Sequence, residues 1–247
     1  MKELFHSCVY IVKRDIQMDN VKRQAEILDY LKNAHFASIA ELASLIYTSE
    51  ATVRRDVQKL EDKGAVKSVY GGVVITEYEN APVPIYLRDK ENSAAKERIA
   101  EEAARLVRDN TTVIFDSSST VRRMCKHIRD RQGLTVITNN LRVCEELNDS
   151  RVKVLCTGGT LITKRDCFAG HFAEELVKRI KADMLFFSSQ GISDGGDITD
   201  SSEEEVALRR VMFESSKEQY FLCDPSKVGK EYPFVLCNAD SITKVIY

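Results

Sequence analysis

Apolar residues first fall into rhythm in VKRQAEILDYLKNA, where Ile27, Leu28 and Leu31 recur between charged positions. That spacing returns to one side of a 3.6-residue helix, so it predicts an amphipathic helix starting near Val21. In HFASIAELASLIYTS, Leu42, Leu45 and Ile46 supply the buried stripe of a second, shorter helix. Ser38 and Glu41 stand there at the spacing of a capping box, in which each side chain satisfies a backbone N–H of the helix start. Ser49 can cap a third helix, and Val53, Val57 and Leu60 follow at i, i+4 and i+7, which puts them on one inward face. Thr52, Arg55, Gln58 and Lys59 fall on the opposite side with Arg54 on its flank, and Gly64 ends the helix where left-handed backbone costs least. The period then changes. AVKSVYGGVVIT alternates around a Gly-Gly turn, as a β-hairpin does.

A second pattern begins further on. TEYENAPVPIYLRDKENSAAKERIA combines two prolines with dense charge before a helix enters near Ser93, which marks a linker. Beyond it, short β-rich runs alternate with helical ones: TVIFD before STVRRMCKHI, LTVITNN before LRVCEELND, VKVLCTGG before AEELVKRI. DMLFFSSQGI, QYFLCDPSK and SITKVIY supply later strands. Such alternation predicts an α/β fold with a mainly parallel sheet flanked by helices. The chain divides accordingly into an N-terminal extension over 1–18, a helix-and-hairpin module over 19–76, a linker over 77–92 and an α/β domain over 93–247.

Composition narrows the function classes. The 247 residues carry a formal net charge of -2, which argues against indiscriminate coating of nucleic acid but leaves room for a locally basic surface. Seven cysteines, an odd count with no C-x-x-C spacing, suit reduced thiols in a cytoplasm better than a disulfide framework or zinc site. No apolar run approaches the ~20 residues that span a bilayer, and the opening segment lacks the cleavage site of a signal peptide. Neither cofactor nor metal is expected.

Two helices joined by a brief turn, the second with basic residues near its start, match a helix-turn-helix that lays its recognition helix in the major groove of DNA. Arg54 and Arg55 have planar forks that pair bidentately with guanine or phosphate oxygens. Ser49, Thr52 and Gln58 would assist them, while Lys59, Lys67, Ser68 and Tyr70 would hold the sugar-phosphate backbone. The bland alternative makes the arginines partners of Glu50, Asp56 or Glu61 on a solvated face. The joint match of cap, spacing and hairpin favours DNA.

SIAELASLIYTSEATVRRDVQKLEDKGAVKSVYGGV resembles the winged helix-turn-helix of the DeoR family of bacterial transcriptional regulators. That family's signature has a T-[IV]-R-R-D-[LV] core, a Leu-Glu pair, a Gly and a basic residue before H/Y-G-G. Thr52 to Val57 match the core in order, and Tyr70, Gly71 and Gly72 match the wing.

In the α/β domain, the loops after the strands read SSST, TNN, TGG, SSQG and DPSK. Ligands of open α/β sheets bind outside the carboxyl ends of strands, where small residues let backbone N–H groups come close and helix N-termini favour an anion. Asp116, Ser117, Ser118, Ser119 and Thr120 form the strongest candidate cradle for a phosphate, and Lys227 could act as a point charge. The bland alternatives are helix caps and a solvated lysine. Here too the sequence is similar to the DeoR family, whose C-terminal domain is a sugar-phosphate sensor related to ribose-5-phosphate isomerase. The resemblance matches its D-x-G-x-T loop to residues 116–120, its T-N to Thr138 and Asn139, and its G-G to Gly158 and Gly159. Its S-x-x-G falls on Ser188 and Gly191, and its D-x-S-K on Asp224, Ser226 and Lys227. Ser118 stands where the family has glycine, which restricts backbone approach to a phosphate. Arg122 and Arg123 follow where small residues are usual, which adds positive charge.

A catalytic reading competes, because GISDGGDITD offers Asp194 and Asp197 as acid/base groups. No histidine lies in that stretch, and His127 and His171 stand alone on other segments. A shared fold does not carry catalysis with it. The sequence therefore predicts a cytoplasmic, non-enzymatic transcriptional regulator, a repressor of a carbohydrate operon, with double-stranded operator DNA and a phosphorylated sugar as ligands. The resemblance implies a homo-oligomer.

Overall fold

The computed structural model describes residues 20–75 and 92–247, in two units that lie within Met1–Ala81 and Pro82–Tyr247. The expected extension over 1–18 and all but the last residue of the expected linker over 77–92 lie outside the described residues.

The first unit contains α1 (Asn20–Ala34), β1 (Phe36–Ser38), α2 (Ile39–Leu45), α3 (Glu50–Asp62), β2 (Val66–Val69) and β3 (Gly72–Ile75). Ile27 and Leu31 of α1, Leu42 of α2 and Val53, Val57 and Leu60 of α3 pack with Val66 and Val73 in one core. Both predicted caps form: Ser38 and Glu41 close a capping box at α2, and the Ser49 side chain accepts the Thr52 N–H at 3.2 Å. Asp56, almost wholly buried, accepts from Arg23 Nε at 2.7 Å and so ties α3 to α1. Glu61 takes the Ser68 amide at 2.7 Å and the Ser68 hydroxyl at 2.6 Å, which fastens the hairpin to α3. Those two bonds hold the Glu61 carboxyl below the ordinary carboxylate range.

Three details depart from the sequence reading. Leu45 is 40% exposed rather than part of the buried stripe, because α2 ends there and its inward role passes to Ile46. Strand β1 was not foreseen, since Phe36–Ser38 is too short to express a period, yet it pairs antiparallel with β3 to give the order β1-β3-β2. The hairpin turns at Tyr70-Gly71, with Gly71 at φ 85, and Gly72 belongs to β3. A Cβ at Gly72 would lie 2.2 Å from the Ala37 carbonyl oxygen, so glycine there lets β3 close on β1.

The second unit opens with α4 (Ser93–Leu106) and then alternates. Its large sheet uses β4 (Thr112–Phe115), β5 (Thr135–Thr138), β6 (Lys153–Cys156), β9 (Ala182–Phe187), β12 (Ser216–Leu222) and β14 (Lys244–Ile246). All six are parallel, in the order β14-β12-β9-β4-β5-β6. The helices are α5 (Ser119–Arg122), α6 (Cys125–Ile128), α7 (Leu141–Leu147), α8 (His171–Lys178) and α9 (Glu203–Glu214). Alternate residues of each strand enter separate cores, as a sheet covered on both faces requires. Val113, Phe115, Met184 and Phe186 pack with α4 to α7, whereas Ile114, Leu185 and Phe187 pack with α8 and α9. Shorter pairings went unread in the sequence: β7 (Thr160–Ile162) with β8 (Cys167–Ala169), and a sheet of β10 (Gly191–Ile192), β11 (Asp197–Asp200) and β13 (Phe234–Asn238).

Described cysteines 125, 144, 156, 167, 223 and 237 are free thiols. Burial, together with the neighbouring Cys156 thiol, pushes Cys144 up to about 12. No described helix is long and apolar enough to cross a membrane.

Candidate nucleic-acid interface and candidate ligand site

On the first unit, the start of α2, the outer side of α3 and the β2–β3 hairpin border a groove of about 490 Å³. Arg54 and Gln58 line it beside Ser68 and Gly71. Arg54 is exposed and pairs with Glu50 at 3.1 Å, and Gln58 donates to Asp62 at 3.0 Å. Arg55 is exposed and forms no ion pair among the described residues. The Ser49 and Thr52 hydroxyls lie 2.9 Å apart at the start of α3. Lys59 and Lys67 are exposed, and Tyr70 is half-exposed at the hairpin turn. The alternative carboxylate partners are thus divided: Glu50 holds Arg54, whereas Asp56 and Glu61 are engaged by Arg23 and Ser68.

On the second unit the strand order reverses direction between β4 and β9. Successive strands β4, β5 and β6 run outward one way, and β9, β12 and β14 the other. The crevice at such a reversal is where open α/β sheets hold ligands. Asp116 follows β4 there, and its Oδ1 accepts the Ser118 N–H at 2.9 Å while its Oδ2 accepts the N–H of Ser188, just after β9, at 3.1 Å. Ser118 caps α5 by accepting from Val121 N at 3.2 Å, with φ −74, so its backbone is one any residue adopts. Thr138 and Asn139 end β5, Gly158 and Gly159 follow β6 with φ 63 and 106, and Asp224 and Lys227 follow β12. The sheet brings all of these to one edge. Gly191 stands beside them in β10, where a Cβ would lie 2.3 Å from the Lys230 carbonyl oxygen.

Lys227 is buried, donates to the Ser188 hydroxyl and lies 3.6 Å from Asp224 Oδ2. Burial pushes the Asp224 carboxyl up, but Lys227, Ser226 and Lys96 outweigh it and hold it below the ordinary carboxylate range. Asn92, at the start of α4, donates to Asp224 Oδ1 at 3.0 Å. Thr120 Oγ1, Asn139 Oδ1 and Asp224 Oδ2 are buried without a hydrogen-bond partner among the described residues. Arg122 and Arg123 pair with Glu146 at 2.8 Å and Glu97 at 3.5 Å, so carboxylates of α7 and α4 offset the charge they add.

Beneath these loops lies a buried ionic cluster that the sequence reading missed. Arg209 of α9 donates to Asp116 at 3.0 Å, to Asp200 at 2.8 Å and to Glu205 at 3.3 Å. Glu205 also pairs with Arg165, from the turn between β7 and β8, and accepts from Ser117 at 3.3 Å. Burial works against the Arg209 charge, and Asp200, Glu205 and Asp116 outweigh it. The catalytic alternative gains no such convergence: Asp197 accepts from Asn238 at 3.0 Å, His127 is bonded to Glu97 at 3.0 Å, and His171 begins α8.

Residues 23–79 match the DeoR-like helix-turn-helix domain and residues 91–247 the DeoR C terminal sensor domain. The chain belongs to the DeoR family. Among its relatives, the HTH-type transcriptional regulator GolR of Listeria innocua is 32% identical over 91% of this chain and 89% of its own length. The L-fucose operon activator of Haemophilus influenzae is 32% identical over 90% of each chain. The transcriptional repressor AccR of Agrobacterium fabrum is 29% identical over 91% of this chain and 88% of that one. A ribose 5-phosphate isomerase A from Methanocaldococcus jannaschii aligns at a TM-score of 0.41 and 14% identity over 56% of this chain and 55% of that chain. As a DeoR-family member the chain is a DNA-binding transcriptional regulator, not an enzyme, and α3 stands in the place of the recognition helix.

Proposed function

We propose that this DeoR-family regulator represses a carbohydrate uptake or catabolic operon and that a phosphorylated sugar at the strand tips of the second unit relieves repression. One observation carries the reading: Asp116, Ser188 and Lys227 meet at the reversal of strand order, beside the buried oxygens of Thr120 and Asn139, which have no hydrogen-bond partner among the described residues. Buried polar atoms without partners are rare in proteins, and hydroxyls of a sugar would satisfy these. Lys227 suits a phosphate as a point charge, loop 116–120 offers hydroxyls, and the glycines of loop 157–159 let backbone donors approach it.

In the operator complex, Arg54 and Arg55 contact bases with help from Ser49, Thr52 and Gln58, while Lys59, Lys67 and Tyr70 hold the backbone. The chain acts as a cytoplasmic homo-oligomer, because a single recognition helix reads few base pairs and two half-sites multiply selectivity. To switch the operator, the effector must bind the DNA-free arrangement more tightly than the DNA-bound one. Activation is the second reading, supported by the likeness to an L-fucose operon activator.

A thermal-shift screen with a panel of sugar phosphates tests the site. At least one member should raise the melting midpoint of the parent, and Lys227→Ala should lose that shift while retaining operator binding in its absence. An unchanged response in Lys227→Ala removes the lysine from the site.

A further inference from the structure

The turn that leads into the recognition helix holds a tyrosine where its backbone favours glycine. After α2, the Thr48 N–H donates to the Ala43 carbonyl at 3.0 Å and the Tyr47 N–H to the Ser44 carbonyl at 3.4 Å. This pair of bonds is a Schellman closure, and it requires a left-handed residue at the position Tyr47 occupies. Tyr47 has φ 48. The same closure recurs at the end of α3, where Ala65 bonds to Leu60 and Gly64 bonds to Glu61, and there the left-handed residue is glycine, at φ 70. A bulky side chain in this region is strained. No burial offsets the strain, since Tyr47 is 87% exposed.

Strain retained by so exposed a side chain points to a role outside the unit. Tyr47 stands two residues before Ser49, the cap of α3, in the turn that leads into the helix a helix-turn-helix lays in the major groove. Tyrosine hydroxyls are among the groups that bond phosphate oxygens and fix a protein's register on the duplex. We propose that Tyr47 is a positioning residue for DNA, its hydroxyl donating to a phosphate of the strand beside the recognition helix.

The test uses the full chain and a mixed-sequence duplex of about 30 base pairs, because a backbone contact is independent of sequence. Tyr47→Gly keeps the turn and removes the ring. Its melting midpoint should equal or exceed that of the parent, while its affinity for the duplex falls roughly fivefold to tenfold. Tyr47→Phe, which loses only the hydroxyl, should bind as weakly as Tyr47→Gly. Since no charge is removed, the slope of log affinity against log salt should stay at the parental value in both. Duplex affinity of Tyr47→Gly within twofold of the parent overturns the proposal, including the case where only self-association changes. A lower melting midpoint in Tyr47→Gly, or full binding by Tyr47→Phe, overturns it as well.

Discussion

Arg54 and Arg55 are adjacent in sequence but differently held: Glu50 engages the first, and no described carboxylate engages the second. Arg55→Ala should therefore lose about 1–3 kcal/mol of discrimination between operator variants if the guanidinium reads a base. Competition binding across a set of single-base variants checks this, and a uniform loss would assign Arg55 to a phosphate. In the other unit, Asp224 carries a pH signature. Its folded carboxyl lies below the ordinary range, so its ionised form favours the fold. That contribution is complete above the unfolded value of about 3.9 and is lost as pH falls through the lower folded value. Asp224→Asn should flatten this acid-side decline in urea-melting stability, and a parental slope in the variant would contradict it. At this scale the sequence was readable where chemistry is local. Residues 116–120 stand out as a small, hydroxyl-rich loop after a strand. Arg209 does not, because its partner Asp116 lies 93 positions away and no local pattern marks the pair.

Among elements, α3 was the most legible, since its cap, its i, i+4, i+7 stripe and its terminal glycine agree with one another. Each can be tested separately. Ser49→Ala removes the acceptor for Thr52 N and should cost about 1 kcal/mol of stability, measured by chemical denaturation of the full chain. A loss indistinguishable from zero would mean that packing alone fixes the helix start. The parallel strands were also visible, because burial on both faces makes them short apolar runs between turn signals. Strands β1, β7, β8 and β10 were not, since two or three residues cannot express an alternation. Their positions depend on partners remote in sequence and on close approaches such as Gly72 against Ala37.

For the molecule as a whole, near-neutral net charge conceals two contrasting surfaces. One unit presents exposed cations along a helix, and the other gathers buried acids and bases at its strand tips. The family was legible because two unrelated motifs stand in the expected order along one chain. The full set of side chains around the strand tips was not, because Asn92, Lys96 and Arg165 reach Asp224 and Glu205 from elements remote in sequence. Coupling between the surfaces is the central claim, and one titration addresses it directly. Fluorescence anisotropy would follow the full chain binding two labelled duplexes, its own upstream region and a scrambled sequence, at moderate ionic strength with and without each sugar phosphate of a panel. We predict tighter binding to the upstream duplex and at least one phosphorylated sugar that weakens it severalfold. Equal affinity for the two duplexes, unchanged by every member of the panel, would contradict the account.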